Sequence, residues 1–201
     1  MVQTSKTLPE GFTQAAEINL KAQKKLAVGM NIAAFIVLIP VGIFLFWFVR
    51  QVHPQTEGTM FSFSLGLDSL PKVLLLIVVL AGMLILHEAI HGIGFWLATR
   101  EQPKYGLSLA YAFAAAPEWY IPAEIYFWIG IAPLLMIDVL GLLLILVLPE
   151  SAAGLVASAV ALNTAGAVGD AYILFRLTQL GKTTLVNDSG DKVLFYTQVN
   201  H

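Results

Sequence analysis

The chain of 201 residues is too apolar for a soluble globular protein. Hydrophobic residues make up 58% and charged residues 12%, against about 45–50% and about 25% in soluble domains, so too few polar side chains remain to cover a surface. The formal net charge of −2 excludes the large cationic surface that nucleic-acid binding requires. The chain has no cysteine, which excludes disulfides, thiolate zinc sites and cysteine nucleophiles.

Four apolar stretches are each long enough to cross a bilayer as a helix, because about 20 helical residues span roughly 30 Å of hydrocarbon. They occupy residues 28–48, 73–98, 125–148 and 154–176. The polar lead before the first stretch is too long for a cleavable signal peptide, so this stretch is predicted to be an uncleaved anchor. Pro40 and Pro133 are expected to kink the first and third helices.

The distribution of Lys and Arg predicts the orientation of these spans. With four spans, the N-terminus, the middle loop and the C-terminus share one side, which receives nine of the eleven basic residues. The other side receives Arg50 and Lys72. Both termini are therefore predicted to be cytoplasmic. The expected domains are a cytoplasmic segment 1–27, a four-span membrane domain 28–180 and a cytoplasmic tail 181–201.

The segments between the spans have a different pattern. Apolar residues alternate with small ones over residues 61–67 and 105–113, which is typical of strands. In the tail, residues 187–190 read as a turn between short strands at 185–186 and 193–196. The predicted fold class is an all-α membrane protein with four transmembrane helices and short strand or hairpin segments in the loops and tail.

The second span contains His87, Glu88 and His91 in the spacing His-Glu-x-x-His. On a helix, two histidines four residues apart project from one face and can bind one zinc ion, while the glutamate can reach a water on that metal. Such residues are costly inside a bilayer and usually have a function there. We therefore interpret the motif as a zinc site with Glu88 as general base, and keep a proton relay or a structural polar cluster as alternatives.

Catalytic zinc takes three protein ligands, so another helix must supply a third. The sequence has Leu97 where metzincins carry their third histidine. Glu124, Asp138 and Asp170 are the acidic candidates, and the depth of the two aspartates allows either. Asp170 is preferred because small residues precede it and allow close helix approach, whereas leucine and valine surround Asp138.

Asn163 lies two helical turns before Asp170 on the same face. It is a candidate for orienting substrate or water, and an interhelical hydrogen bond is an equally good interpretation.

Taken together, these features resemble a bacterial family of predicted zincin peptidases, small membrane proteins first described as a domain of unknown function. The resemblance covers nearly the full length. Its two specific anchors are the motif at His87, Glu88 and His91 and the pair Gly169-Asp170 in the last span. The rest is a similarity of layout, including the amino-terminal stretch from Leu8 and the tail.

That family is in turn similar to the site-2 proteases, which bind an intramembrane zinc through two histidines and a distant aspartate. The resemblance implies that His87, His91 and Asp170 bind zinc and that Glu88 is the base. The sequence departs from the site-2 protease pattern because no proline follows Asn163 and Ala171, rather than glycine, follows Asp170.

The predicted function is peptide-bond hydrolysis by a zinc metalloprotease, within the membrane or at its surface. The alternatives are a non-catalytic zinc-binding membrane protein and a metal or proton transporter. The expected cofactor is Zn²⁺, and the expected partners are a membrane protein or peptide substrate and the lipid bilayer, without nucleic acid. The expected location is the bacterial cytoplasmic membrane. An exposed strand within residues 105–113 could hold an unwound substrate by strand addition.

Overall fold

The computed structural model describes residues 3–54, 70–107 and 111–198. Within them, five helices are present: α1 (Lys24–Val52), α2 (Leu70–Thr99), α3 (Ala123–Val147), α4 (Glu150–Gly166) and α5 (Val168–Leu180). The six strands of this part of the chain are β1 (Phe12–Asn19), β2 (Lys104–Leu107), β3 (Ala112–Ala115), β4 (Ile121–Pro122), β5 (Leu185–Asp188) and β6 (Lys192–Gln198).

The helical stretches confirm that the chain is mostly helical and has four segments long and apolar enough to cross a membrane. These are Lys24–Val52, Leu70–Thr99, Ala123–Val147 and Glu150–Leu180. Large apolar side chains on them, such as Ile43 (66%) and Ile85 (70%), are highly exposed. Helices that are apolar on all sides are typical of a hydrocarbon environment.

The fourth predicted span, residues 154–176, lies within the apolar stretch Glu150–Leu180, which is interrupted at one residue. Helix α4 ends at Gly166 and α5 begins at Val168, and the Ala167 N–H donates to the Asn163 carbonyl at 2.9 Å. Glycines at 166 and 169 flank the break, and glycine weakens a helix by about 1 kcal/mol relative to alanine. The break places Asp170 in the first turn of α5.

A four-stranded antiparallel sheet has the order β1-β6-β5-β4. Its longest ladder pairs β1 with β6, from Phe12 opposite Gln198 to Asn19 opposite Lys192. The predicted tail hairpin is present as β5 and β6. Its turn begins later than predicted, because residues 187 and 188 still belong to β5. Strand β1 was not predicted, because residues 1–27 were interpreted only as a polar lead.

A second, two-stranded sheet pairs β2 with β3, from Lys104 opposite Ala115 to Leu107 opposite Ala112. It confirms strand structure in the predicted region 105–113, of which residues 108–110 are outside the described part. The strand predicted at residues 61–67 also lies outside the described residues.

The chain divides into two compact units. The first contains both sheets and comprises Met1–Ile32, Glu88–Pro133 and Val168–His201. Its core includes Phe95, Ile121 and Phe195, each exposed by 2% or less. Helix α2 ends in this unit at Thr99, where Arg100 adopts a left-handed backbone conformation with φ of 61°, as residues that terminate helices often do.

The second unit is helical and comprises Ala33–His87 and Leu134–Ala167. In its core, Leu45, Val49 and Ile145 pack with small residues of α4 such as Ala153 and Ala157. Small residues at such contacts let helix backbones approach closely.

Candidate metal centre

His87 and His91 lie one turn apart on α2, as the sequence spacing requires. Both are buried, with exposures of 7% and 8%. Asp170, in the first turn of α5, has a partly exposed side chain. One ligand atom from each of these three residues lies within 4.8 Å of the other two. The structure therefore brings the three predicted ligands together.

Within this group, His91 and Asp170 lie close together. Nε2 of His91 is 3.4 Å from Oδ2 of Asp170. Zinc binds imidazole nitrogen and carboxylate oxygen at about 2.0–2.2 Å, so neighbouring ligands of a tetrahedral zinc lie about 3.3–3.6 Å apart. Two imidazoles and one carboxylate are also the donor types that zinc accepts at catalytic sites, with a fourth position left for water. The three residues thus fit a zinc ion.

His91 is oriented by a backbone carbonyl of α3. Its Nδ1 lies 2.9 Å from the Ile129 oxygen, which can only accept, so Nδ1 carries the proton. Ile129 precedes Pro133 by four residues. Because proline has no N–H, the carbonyl four residues earlier loses its helical partner. Pro133 thus leaves the Ile129 carbonyl free of a helical N–H, and this carbonyl accepts from Nδ1 of His91. In the neutral ring the lone pair is then on Nε2.

His87 is oriented by a side chain of α4. Its Nδ1 lies 2.8 Å from Oδ1 of Asn163, and Nδ2 of Asn163 donates to Oδ1 of Asp138 at 2.8 Å. Asn163 is only 1% exposed. These bonds give Asn163 contacts with two other helices. Its predicted role in orienting substrate or water stays a prediction.

The other two acidic candidates are not part of the group. The only group of at least three possible ligands among the described residues consists of His87, His91 and Asp170. Both carboxylate oxygens of Asp138 instead accept hydrogen bonds from α4. Glu124 is exposed and lines a cavity of about 330 Å³ together with residues that include Lys182.

Glu88 follows His87 directly on α2 and is half-buried. Because successive residues of a helix are rotated by about 100° around its axis, Glu88 projects in a direction different from that of His87. Glu88 belongs to the same motif as the two histidines but is not a member of the group that could hold a metal. A carboxylate in such a motif is a residue type that can transfer protons in catalysis.

The comparison with protein families agrees with this site. The sequence profile of the family described as "Putative zincin peptidase" matches residues 80–185, more than half of the chain. The chain belongs to this family. The part of the chain that matches the zincin peptidase family contains His87, Glu88, His91 and Asp170. No curated protein and no solved structure matches the chain.

Membership of the zincin peptidase family confirms the family resemblance seen in the sequence over residues 80–185, rather than over nearly the full length. The family description implies zinc and peptide hydrolysis. The further similarity to site-2 proteases stays a prediction.

Sequence reasoning missed a second buried pair in this zincin peptidase family member. The Tyr126 hydroxyl donates to Oδ2 of Asp188 at 2.5 Å, and the Gly190 N–H donates to Oδ1 at 2.7 Å. Burial raises the pKa of Asp188; these two hydrogen bonds and His91 oppose the rise, while the charge of Asp170 adds to it. The sequence indicates only a turn at Asp188, and no periodic pattern would have identified its partner on α3.

Proposed function

We propose that this protein is a zinc metallopeptidase that hydrolyses peptide bonds of a membrane protein or peptide, within the membrane or at its surface. The observation that carries the proposal is the convergence of His87, His91 and Asp170, with ligand atoms within 4.8 Å of one another. Membership of the zincin peptidase family supports the same chemistry.

The three ligands would hold zinc through Nε2 of His91, a ring nitrogen of His87 and a carboxylate oxygen of Asp170. Zinc, when bound, supplies the Lewis acidity that polarises the scissile carbonyl and lowers the pKa of water to about 7. Glu88 accepts a proton from the attacking water while the water oxygen forms a bond to the carbonyl carbon. Glu88 then delivers that proton to the leaving amide nitrogen as the C–N bond breaks, so no covalent enzyme intermediate forms.

The apolar helices support a membrane setting. Four segments are apolar enough to cross a bilayer, and the motif lies in the second of them. We propose the cytoplasmic membrane of a bacterium, with both termini cytoplasmic, and a mechanism like that of the site-2 proteases. A substrate segment would have to unwind before its carbonyl could reach the site. Strand β2, whose residues are largely exposed, could hold such a segment by backbone pairing.

Replacement of Glu88 by glutamine tests this proposal. The side chain keeps its size but loses the proton acceptor, so cleavage should fall by about 100-fold or more while zinc content stays at the wild-type level. The assay uses purified full-length protein in lipid nanodiscs, with labelled casein and a labelled transmembrane peptide as probes. His91→Ala is the matched control and should lose zinc and cleavage together.

Two results would contradict the proposal. Cleavage by Glu88→Gln at the wild-type rate would remove the general base from the mechanism. A wild-type protein that binds zinc but cleaves neither probe would favour the non-catalytic alternative.

A further inference from the structure

Asp138 and Asn163 form a hydrogen-bonded chain that ends on His87 and that the proposed hydrolysis does not use. We propose that both are positioning residues, which fix the proton of His87 on Nδ1 and so leave Nε2 as the nitrogen that binds zinc. This inference rests on the proposed function, because it takes His87 as a zinc ligand.

The hydrogen-bonding capacities determine the direction of the chain. The Asp138 oxygen at 2.8 Å accepts a hydrogen bond from the amide NH₂ of Asn163. The reverse orientation of the amide would place its oxygen against the carboxylate oxygen, and two acceptors repel. The Asn163 oxygen therefore faces Nδ1 of His87 at 2.8 Å, and because this oxygen can only accept, Nδ1 must be the donor.

The packing of α3 against α4 brings these groups within bonding distance. Gly141 lies about one turn after Asp138, and a Cβ placed there would come within 2.2 Å of Cγ2 of Val160. Val160 in turn lies about one turn before Asn163. Because glycine has no side chain, the two helices approach closely enough for Asp138 to reach Asn163 directly.

The second oxygen of Asp138 is also occupied. The Thr164 hydroxyl lies 2.7 Å from Oδ2 of Asp138. Carboxylates that hold a metal-binding histidine from outside the ligand group orient its ring and increase its basicity. Here the amide of Asn163 transmits that effect from Asp138 to His87. This role also accounts for a carboxylate inside an apolar span, where an ionisable group without a function would be costly.

Zinc titration of the metal-free, full-length protein in detergent, against a chromophoric chelator, tests the inference. Asn163→Ala and Asp138→Ala should each weaken zinc binding about 10- to 100-fold. Asp138→Asn retains an oxygen that can accept from Asn163, so it should restore most of the affinity lost in Asp138→Ala. Thr164→Val is the matched control: it removes a neighbouring donor to Asp138 but not the chain to His87, and should bind zinc as the wild type does.

The tautomer itself supplies a readout that does not depend on zinc. In metal-free protein labelled with ¹⁵N-histidine, His87 should be protonated on Nδ1, and Asn163→Ala should lose that preference. Wild-type affinity in Asn163→Ala with an unchanged tautomer would overturn the inference. Equal losses in Thr164→Val and Asp138→Ala would also overturn it, since Asp138 would then act only in packing. A wild-type protein that binds no zinc would refute the proposed function, while the NMR result would still decide whether the chain fixes the tautomer.

Discussion

Each imidazole of the candidate metal centre makes a hydrogen bond through Nδ1 to an oxygen that can only accept. The acceptor is a backbone carbonyl for His91 and an amide oxygen for His87. A neutral imidazole with a proton on Nδ1 has its lone pair on Nε2. In the neutral form of each ring, these hydrogen bonds therefore favour the tautomer that presents Nε2 to a metal ion.

The buried carboxyl group of Asp188 makes stability depend on pH. Burial raises its pKa above the unfolded value, which is about 3.9. Between the two values the folded state binds more protons than the unfolded chain, so the free energy of unfolding falls as pH rises. We expect the stability of the wild type relative to Asp188→Asn to decrease as pH rises above about 4 towards the raised pKa of the folded state, measured by thermal unfolding in detergent with a chelator present.

Asp191 provides a control of opposite sign. Its pKa is lowered, first by the hydrogen bond from Lys21 and then by that from Tyr111. The folded state binds fewer protons than the unfolded chain in that range, so the wild type should gain stability relative to Asp191→Asn as pH rises towards and past the unfolded value. A constant or rising difference for Asp188→Asn would contradict the account of the buried pair.

At the scale of elements, the prolines in the interiors of α1 and α3, Pro40 and Pro133, have different consequences. Both α1 and α3 continue through their prolines. In α3 the carbonyl four residues before Pro133 accepts from His91. Pro40 likewise removes the helical partner of the Ile36 carbonyl in α1, but α1 carries no residue of the metal group.

We therefore predict that Pro133→Ala weakens zinc binding by about tenfold, because an alanine at this position supplies an N–H that competes for the Ile129 carbonyl. Pro40→Ala should leave zinc affinity unchanged. Both affinities can be measured by the same chelator competition. Equal affinities of Pro133→Ala and the wild type would show that the freed carbonyl does not position His91.

The sequence predicts structure that depends on a local pattern of residues better than structure that depends on contacts between distant segments. Apolar runs of sufficient length identified the helices, because crossing hydrocarbon requires an internally hydrogen-bonded segment. The His87 and His91 pair followed from helical periodicity. The break at Ala167 did not follow, since alanine favours helix and each neighbouring glycine is also tolerated inside one.

The candidate for the third ligand was selected from the residues around each aspartate. The small residues before Asp170 distinguished it from Asp138, and the ligand group contains Asp170. The interpretation of Asn163 as a residue that makes an interhelical hydrogen bond is confirmed. Its partners, and the bond of Thr164 to Asp138, could not be predicted because they depend on the register of the helices. The pairing of β1 with β6 was missed for a similar reason, since it joins residues almost a chain length apart.

For the whole molecule, the four-stranded sheet bears on topology. It contains strand β1, from before the first helix, and strand β4, from the segment between α2 and α3. Its other two strands, β5 and β6, come from the tail after α5. A single sheet can lie on only one side of a bilayer. The segments that the Lys and Arg distribution assigns to the cytoplasm are thus the ones that share this sheet.

Because the chain lacks cysteine, single cysteines can test this topology without further changes. Cysteines at Glu10 and Lys182, both exposed, should be protected from a membrane-impermeant maleimide in intact bacterial cells and labelled after lysis. Lys72→Cys should be labelled in intact cells. Opposite labelling of Glu10→Cys and Lys182→Cys would refute an even number of spans.

The central claim is that His87, His91 and Asp170 bind the same zinc ion. Zinc K-edge X-ray absorption of the purified protein tests it most directly. We predict two imidazoles and one carboxylate at about 2.0–2.2 Å with one non-protein oxygen, and loss of the carboxylate contribution in Asp170→Ala. A closed sphere of four protein ligands, or a spectrum that Asp170→Ala leaves unchanged, would contradict the claim.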